Sequence, residues 1–293
     1  MRRIGILGGS FNPVHAGHLR LAIEVAEALR PDRIDLVPCA IPPHKEGHDL
    51  LPFGLRLSLL HAAVRPFAGL AVNALEGGRS GPSYTWDTLH AYRAAEPDAA
   101  PFFILGGEDF EMLPHWHRGV ELPRIADFVV VPRAGSGPEA FRAALAAHWP
   151  DAVPLAPHPA RQAQPGSQAQ PGSQAHPGRQ AHPKHPQDTP GMERHLLRGG
   201  PYGNTTLTFL PLPRLDISAS LLRGKWLRGA DIRLLVPDDV DSLLRAQADE
   251  VRRCWAHSRA VPPAGPVPHG SNPHCSAARC SGPHGSDKDT PCE

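Results

Sequence analysis

The apolar residues of this chain come in short, unbroken runs rather than in alternation. RIGILGG (3–9), RIDLVP (33–38), LAVNAL (70–75), FFILGG (102–107), DFVVVP (127–132) and TLTFLP (206–211) are apolar through most of their length. Such runs predict strands buried on both faces. Between them the period changes to that of helices. Gly17–Leu29 places Leu21, Val25, Ala28 and Leu29 on one face, and LRLSLLHAAV (55–64), Tyr84–Ala95, GPEAFRAALAAHW (137–149), Ser218–Arg228 and Asp238–Trp255 also read as helices. Strand–helix repetition predicts an α/β fold with a doubly wound parallel sheet in a single domain. Ligands of such sheets bind at the carboxyl ends of the strands.

Two stretches break this pattern. Within 154–200 the hexads QAQPGS, QAQPGS, QAHPGR and QAHPKH follow one another from Gln162 to His185. Pro, Gln and Gly at this density bury too little to offset ordering entropy, so a flexible insert is expected there. The stretch 257–293 reads as a disordered tail. It holds His274, Cys275, Cys280, His284 and Cys292, but in none of the spacings that zinc sites use. The folded domain is then expected in two parts, 1–153 and 201–256.

Composition narrows the function classes. Lys plus Arg number 30 against 29 Asp plus Glu, so net charge points to neither nucleic acid nor an anionic membrane. No apolar run approaches the roughly 18–20 residues of a membrane span. The amino-terminal apolar patch is shorter than a signal h-region of roughly 7–15 residues and runs into a glycine turn. Five cysteines, an odd number at scattered spacings, do not make a disulfide scaffold. A cytoplasmic location is expected.

The chemistry concentrates in GGSFNPVHAGH (8–18), which joins the end of the first strand to the first helix. Gly8 and Gly9 permit close backbone approach, and Asn12-Pro13 is a turn dipeptide. His15 and His18 are three apart, on one face of a helix start whose amides favour an anion. The stretch is neither a Walker A loop nor G-x-G-x-x-G. Zinc binding needs a third ligand that is not evident nearby, and purely structural histidines remain an alternative to phosphate contact. Far along the chain, DISASLLR (216–223) opens another helix, with Ser218 placed to cap it and Ser220 and Arg223 near its positive end.

Together these two segments resemble the H-x-G-H nucleotidyltransferase superfamily, whose fold is Rossmann-like and whose late I-S-S-T-x-x-R segment holds ATP phosphates. Three more segments sharpen the resemblance: IPPHK (41–45), EGGRSGPSYTWDTL (76–89) and FILGGEDFEMLPHW (103–116). In this order they resemble the bacterial nicotinate-nucleotide adenylyltransferases, over about 1–135 and 205–245. The resemblance implies that ATP and nicotinate mononucleotide yield the deamido dinucleotide and pyrophosphate, in NAD biosynthesis. The nucleophile is a phosphate oxygen already ionised at neutral pH, so direct in-line attack without a general base or covalent intermediate is implied.

By the same resemblance His15, His18, Lys45 and Arg223 carry catalysis. ATP falls to Gly8, Gly9, Ser10, Phe11, His15, Gly17, His18, Gly106, Glu108, Ile217, Ser218, Ser220 and Arg223. The nicotinate nucleotide falls to Asn12, Lys45, Ser83, Tyr84, Thr85, Trp86, Trp116 and Arg133. Mg²⁺ is expected on the ATP phosphates, held by substrate oxygens and water rather than by a protein ligand set. The open amides at Thr85 and Trp86 are the expected seat of the pyridine carboxylate, with Trp116 stacking on the ring. The Tyr84 and Trp86 side chains are expected to pack in the core. The chain departs from the family at Asn12 (usually Asp), Glu108 (usually Asp) and Ala219 (frequently Ser). Two other readings stay open: an enzyme preferring the nicotinamide nucleotide or another phosphorylated acceptor, and a nucleotide-sensing regulator. The partners expected are small molecules, without nucleic acid or membrane.

Overall fold

A computed structural model describes residues 1–43, 49–132, 136–156, 189–213 and 215–256 of the 293. The strands are β1 (Arg2–Gly9), β2 (Arg33–Pro38), β3 (Leu70–Val72), β4 (Ala99–Gly106), β5 (Asp127–Val131), β6 (Val153–Pro154), β7 (Glu193–Gly200) and β8 (Gly203–Phe209). The helices are α1 (Ala16–Leu29), α2 (Phe53–Val64), α3 (Thr85–Ala95), α4 (Gly107–Glu111), α5 (Pro138–His148), α6 (Ala219–Leu227), α7 (Asp238–Ala246) and α8 (Ala248–Ala256). All strands join one sheet in the order β3-β2-β1-β4-β5-β8-β7-β6.

The first six strands of that order run parallel, as expected. The strand order reverses between β1 and β4, which opens a crevice at their carboxyl ends. Each central strand feeds two cores. Leu7, Ile34, Leu36, Phe102, Ile104 and Val129 pack against α1, α2 and the carboxyl-terminal helices. Ile4, Ile6, Phe103, Leu105, Phe128 and Val130 pack with Leu89 and Tyr92 of α3, Phe110 of α4 and Phe141 of α5. Burial of each such side chain contributes roughly 1.5–3 kcal/mol.

The structure corrects the sequence reading at three places. The sheet is mixed, because β7 and β6 are antiparallel. β7 lies within the stretch expected to be a flexible insert. Only Leu197 of ERHLLRGG is fully buried, so this strand has no apolar run to announce it. The strand read over 70–75 ends at Val72, because the Asn73 Oδ1 accepts the Leu75 N–H at 3.0 Å and a 3-10 turn follows over Leu75–Gly78. The helix read over 238–255 is two, broken at Gln247 (φ −108°, ψ 28°).

Residues Met1–Arg259 cluster as one unit. The four hexads and the Cys/His stretch of the tail lie outside the described residues. Among the described residues no helix is long and apolar enough to cross a membrane.

Candidate active site

The end of β1 lies close against a side chain of β4. A Cβ on Gly8 would meet the Phe103 ring at 3.3 Å. The chain then turns through Phe11 (φ 44°), whose buried ring meets His18 edge-on at 4.9 Å. His15 is the N-cap of α1, and its ring stacks on that of His18 with centroids 3.7 Å apart. The His15 N–H donates to His18 Nδ1 at 3.3 Å. With Nδ1 accepting, the neutral His18 ring carries its proton on Nε2. The Ala16 N–H donates to the Leu235 carbonyl and that of His18 to the His15 carbonyl. The open cleft beside the pair is lined by His15, Gly17, His18, Gly106, Val131, Leu212 and Ile217.

The late helix closes the same corner. Ser218 caps α6, its Oγ accepting the Leu221 N–H at 3.2 Å, as read from the sequence. One turn on, Arg223 Nη1 donates to the Asn12 carbonyl (3.1 Å) and Nη2 to the Ser220 Oγ (3.2 Å). Its Nη2 also lies 2.6 Å from the Asp49 carboxylate. Burial pushes this guanidinium below its ordinary value while Asp49 pulls it back up. Its Nε–H is buried and makes no hydrogen bond among the described residues. A partly desolvated cation with a donor in reserve suits an anion.

A second helix start opens nearby. Ser83 precedes α3, and its Oγ accepts the amides of Ala40 (2.9 Å) and Ile41 (3.1 Å). Tyr84 is the α3 N-cap, and the Thr88 N–H donates to its carbonyl. The amides of Thr85, Trp86 and Asp87 make no hydrogen bond among the described residues. Tyr84 stacks on His117 at 4.4 Å, and Arg118 lies 3.6 Å over the Trp86 ring. Trp86 and Trp116 are half-buried against the core of that face.

The structure places the remaining expected site residues as follows. The Asn12 side chain faces inward: its Nδ2 donates to the Asp49 carbonyl (2.7 Å), and its Oδ1 accepts from Leu51 N (3.0 Å) and Trp255 Nε1 (3.3 Å). The Ser83 hydroxyl, expected at the nicotinate nucleotide, accepts the amides of the loop after β2. Glu108 is exposed in the first turn of α4, next to Asp109. Lys45 and Arg133 lie outside the described residues.

The sequence reading missed Arg56, which is 1% exposed and spends its donors on the carbonyls of Ser10, Cys39, Ala40 and Leu51. An arginine on a helix reads as solvated, and nothing in its spacing announces burial. Asp49, His117 and Arg118 were also missed: they lie outside the α-helices, where no periodicity assigns a partner.

A mostly parallel sheet with paired histidines at its switch point defines a nucleotide-handling α/β protein. A family model described as cytidylyltransferase-like matches residues 6–225, and the chain belongs to that family. Among its relatives it falls with the nicotinate-nucleotide adenylyltransferases and is an enzyme of that kind. A "Probable nicotinate-nucleotide adenylyltransferase" of Geobacter metallireducens is 34% identical over 257 residues, covering 88% of this chain and 100% of the relative. One of the same name from Trichlorobacter lovleyi is 31% identical over 242 residues, covering 83% and 96%. A third, from Geobacillus thermodenitrificans, is 42% identical over 135 residues, covering 46% of this chain and 62% of the relative. The fold is shared with Plasmodium falciparum nicotinic acid mononucleotide adenylyltransferase complexed with NaAD, at TM-score 0.58 and 15% identity, over 85% of this chain and 98% of that one.

Proposed function

We propose that the chain transfers the adenylyl group of ATP to nicotinate mononucleotide, forming the deamido dinucleotide and pyrophosphate in NAD synthesis. One observation carries the reading. Arg223 reaches the Asn12 carbonyl across 211 positions of sequence, bringing the late helix onto the loop that presents His15 and His18.

An acceptor phosphate oxygen attacks the α-phosphorus of ATP. The bond to the bridging oxygen breaks, and pyrophosphate leaves with its electron pair. The nucleophile needs no base, so what the chain supplies is alignment of two anions and stabilisation of phosphate charge. His18 Nε2–H is the donor to the transition state, and His15 holds the ring. Arg223 and Ser220 take the other phosphates, as does Lys45. Gly8, Gly9, Ser10, Phe11 and Gly17 let the triphosphate approach, while Gly106, Glu108, Ile217 and Ser218 flank the nucleoside.

Among the described residues no group of three or more His, Cys, Asp or Glu is arranged to hold a metal. Mg²⁺ would enter on ATP's own oxygens and supply positive charge against the phosphates. At the acceptor, the open amides of Thr85 and Trp86 receive the pyridine carboxylate at the positive end of α3, where a neutral carboxamide gains less. Trp116 stacks on the pyridine, and Arg133 adds charge. Cytoplasmic residence belongs to the same reading, as do small-molecule partners without nucleic acid or membrane.

The test offers ATP and Mg²⁺ with nicotinate or nicotinamide mononucleotide in separate tubes and separates the products by chromatography. Deamido dinucleotide mainly in the first tube is expected; product mainly in the second overturns the acceptor assignment. His18→Ala is expected to lower kcat by about 10²–10³-fold with the fold intact by circular dichroism. Unchanged turnover would remove His18 from the chemistry.

A further inference from the structure

The buried Arg56 and the hydroxyl of Ser83 occupy one continuous polar path between the two helix starts. Arg56 Nη1 donates to the Ser10 carbonyl (2.9 Å), just after β1, and to the Cys39 carbonyl (2.7 Å), just after β2. Nη2 donates to the Ala40 carbonyl at 3.3 Å. The amides of Ala40 and Ile41 then donate to Ser83 Oγ, and the Ser83 N–H returns to the Ile41 carbonyl at 2.8 Å. Ser83 directly precedes the N-cap of α3. At the other end Arg56 Nε donates to the Leu51 carbonyl (2.9 Å), and the Leu51 N–H donates to Asn12 Oδ1 (3.0 Å).

One planar guanidinium gathers carbonyls from three chain segments, those after β1, after β2 and before α2. Burial costs this cation hydration, offset in part by the Cys39 side chain and by the charge of Glu76, which makes no hydrogen bond to it among the described residues; that is a costly arrangement for holding loops that water could solvate. We propose that Arg56 and Ser83 form a brace that fixes the distance between the ATP loop and the acceptor helix, and so act as positioning residues for the transfer. The inference rests on the two-nucleotide reading above. Neither residue touches a reacting atom. What they set is the register of two substrates that must meet in line, where a displacement of about 1 Å costs about 10²-fold in rate.

The experiment compares wild type, Arg56→Lys, Ser83→Ala and the double variant, at a temperature where circular dichroism shows each folded. Steady-state kcat and both KM values are measured. Calorimetry gives the affinity for ATP with Mg²⁺ alone and for nicotinate mononucleotide alone. A brace predicts that kcat falls about 10²-fold for Arg56→Lys and about tenfold for Ser83→Ala. Single-substrate affinities should stay within about twofold, and the double variant should be no slower than Arg56→Lys, since residues acting as one unit are non-additive. Weakened binding of one nucleotide with kcat unchanged overturns the proposal, as do penalties that multiply. If Arg56→Lys does not fold, Ser83→Ala decides through the same split between kcat and affinity. A wild-type chain that makes no dinucleotide defeats the underlying reading and the brace together. Wild-type turnover with variants of equal kcat defeats the brace alone.

Discussion

Gly17 is wedged behind the first histidine. A Cβ there would lie 3.0 Å from His15 Nδ1, 3.1 Å from its Cε1 and 3.6 Å from the Ile217 Cβ. The His15 ring is 3% exposed and stacked on His18, so it can yield only by carrying its neighbour with it. Gly17→Ala is expected to keep or slightly raise the melting temperature, because alanine favours a helix by up to about 1 kcal/mol over glycine. The same change is expected to lower kcat about tenfold by displacing His18, in line with the steep dependence of rate on alignment. Kinetics beside a thermal melt checks this, and a fully active variant would show that the stack tolerates movement. At this scale the sequence was legible where the chemistry is local: the Ser218 cap and the histidine pair follow from spacing alone. It was not legible where partners are distant. Asn12 reads as a ligand contact in a turn, yet its amide is committed to Asp49, Leu51 and Trp255.

Elements are tied together away from the site by a cluster at the other end of the sheet. Arg33, opening β2, donates to Asp35 (2.9 Å) and to Glu96 (2.5 Å), which follows α3, and Arg2 of β1 donates to the second Glu96 oxygen (2.7 Å). The Tyr92 hydroxyl donates to the buried Asp35 carboxylate. The hydrogen bond from Arg33 leads in holding the Glu96 carboxyl below its ordinary 4.5. A depressed carboxylate stabilises the fold fully above its unfolded value, and that contribution disappears as pH falls through the folded one. Melting temperature should therefore fall on acidification from about pH 5 to pH 3, and Glu96→Gln should flatten that slope while lowering stability near neutrality. Parallel acid limbs for the two proteins would exclude Glu96 as a source. Elements with a continuous apolar run or a clean helical face were readable within about three residues at each end. β7 and the break at Gln247 were not, since what makes them is pairing with β8 and the need to bring Trp255 back to the core.

The whole molecule is built around a site assembled from both ends of the chain. The Leu155 N–H donates to the Arg194 carbonyl at 2.8 Å, so the chain leaves the sheet and re-enters it at one place. Replacing 157–188 by a Gly-Ser linker a quarter as long is expected to leave kcat unchanged and to raise stability by about 1 kcal/mol through loop-closure entropy. Loss of folded protein would show that the segment belongs to the core. Trp255 is fully buried against Trp226, and its indole N–H reaches Asn12 Oδ1. Trp255→Phe is expected to cost less than about 2 kcal/mol from that bond and to lower kcat several-fold by loosening the loop before His15. Denaturant unfolding and kinetics separate the two effects, and a variant less stable but equally fast would confine Trp255 to stability.

That indole bond spans 243 positions. A ribosome that has passed Arg223 has already made every residue proposed here for chemistry, yet the loop that presents them still lacks its last fastening. Messages cut short before the eighth helix would yield chains with the full complement of reactive groups and little output. Activity in a cell thus reports on the completeness of translation as well as on the amount of protein.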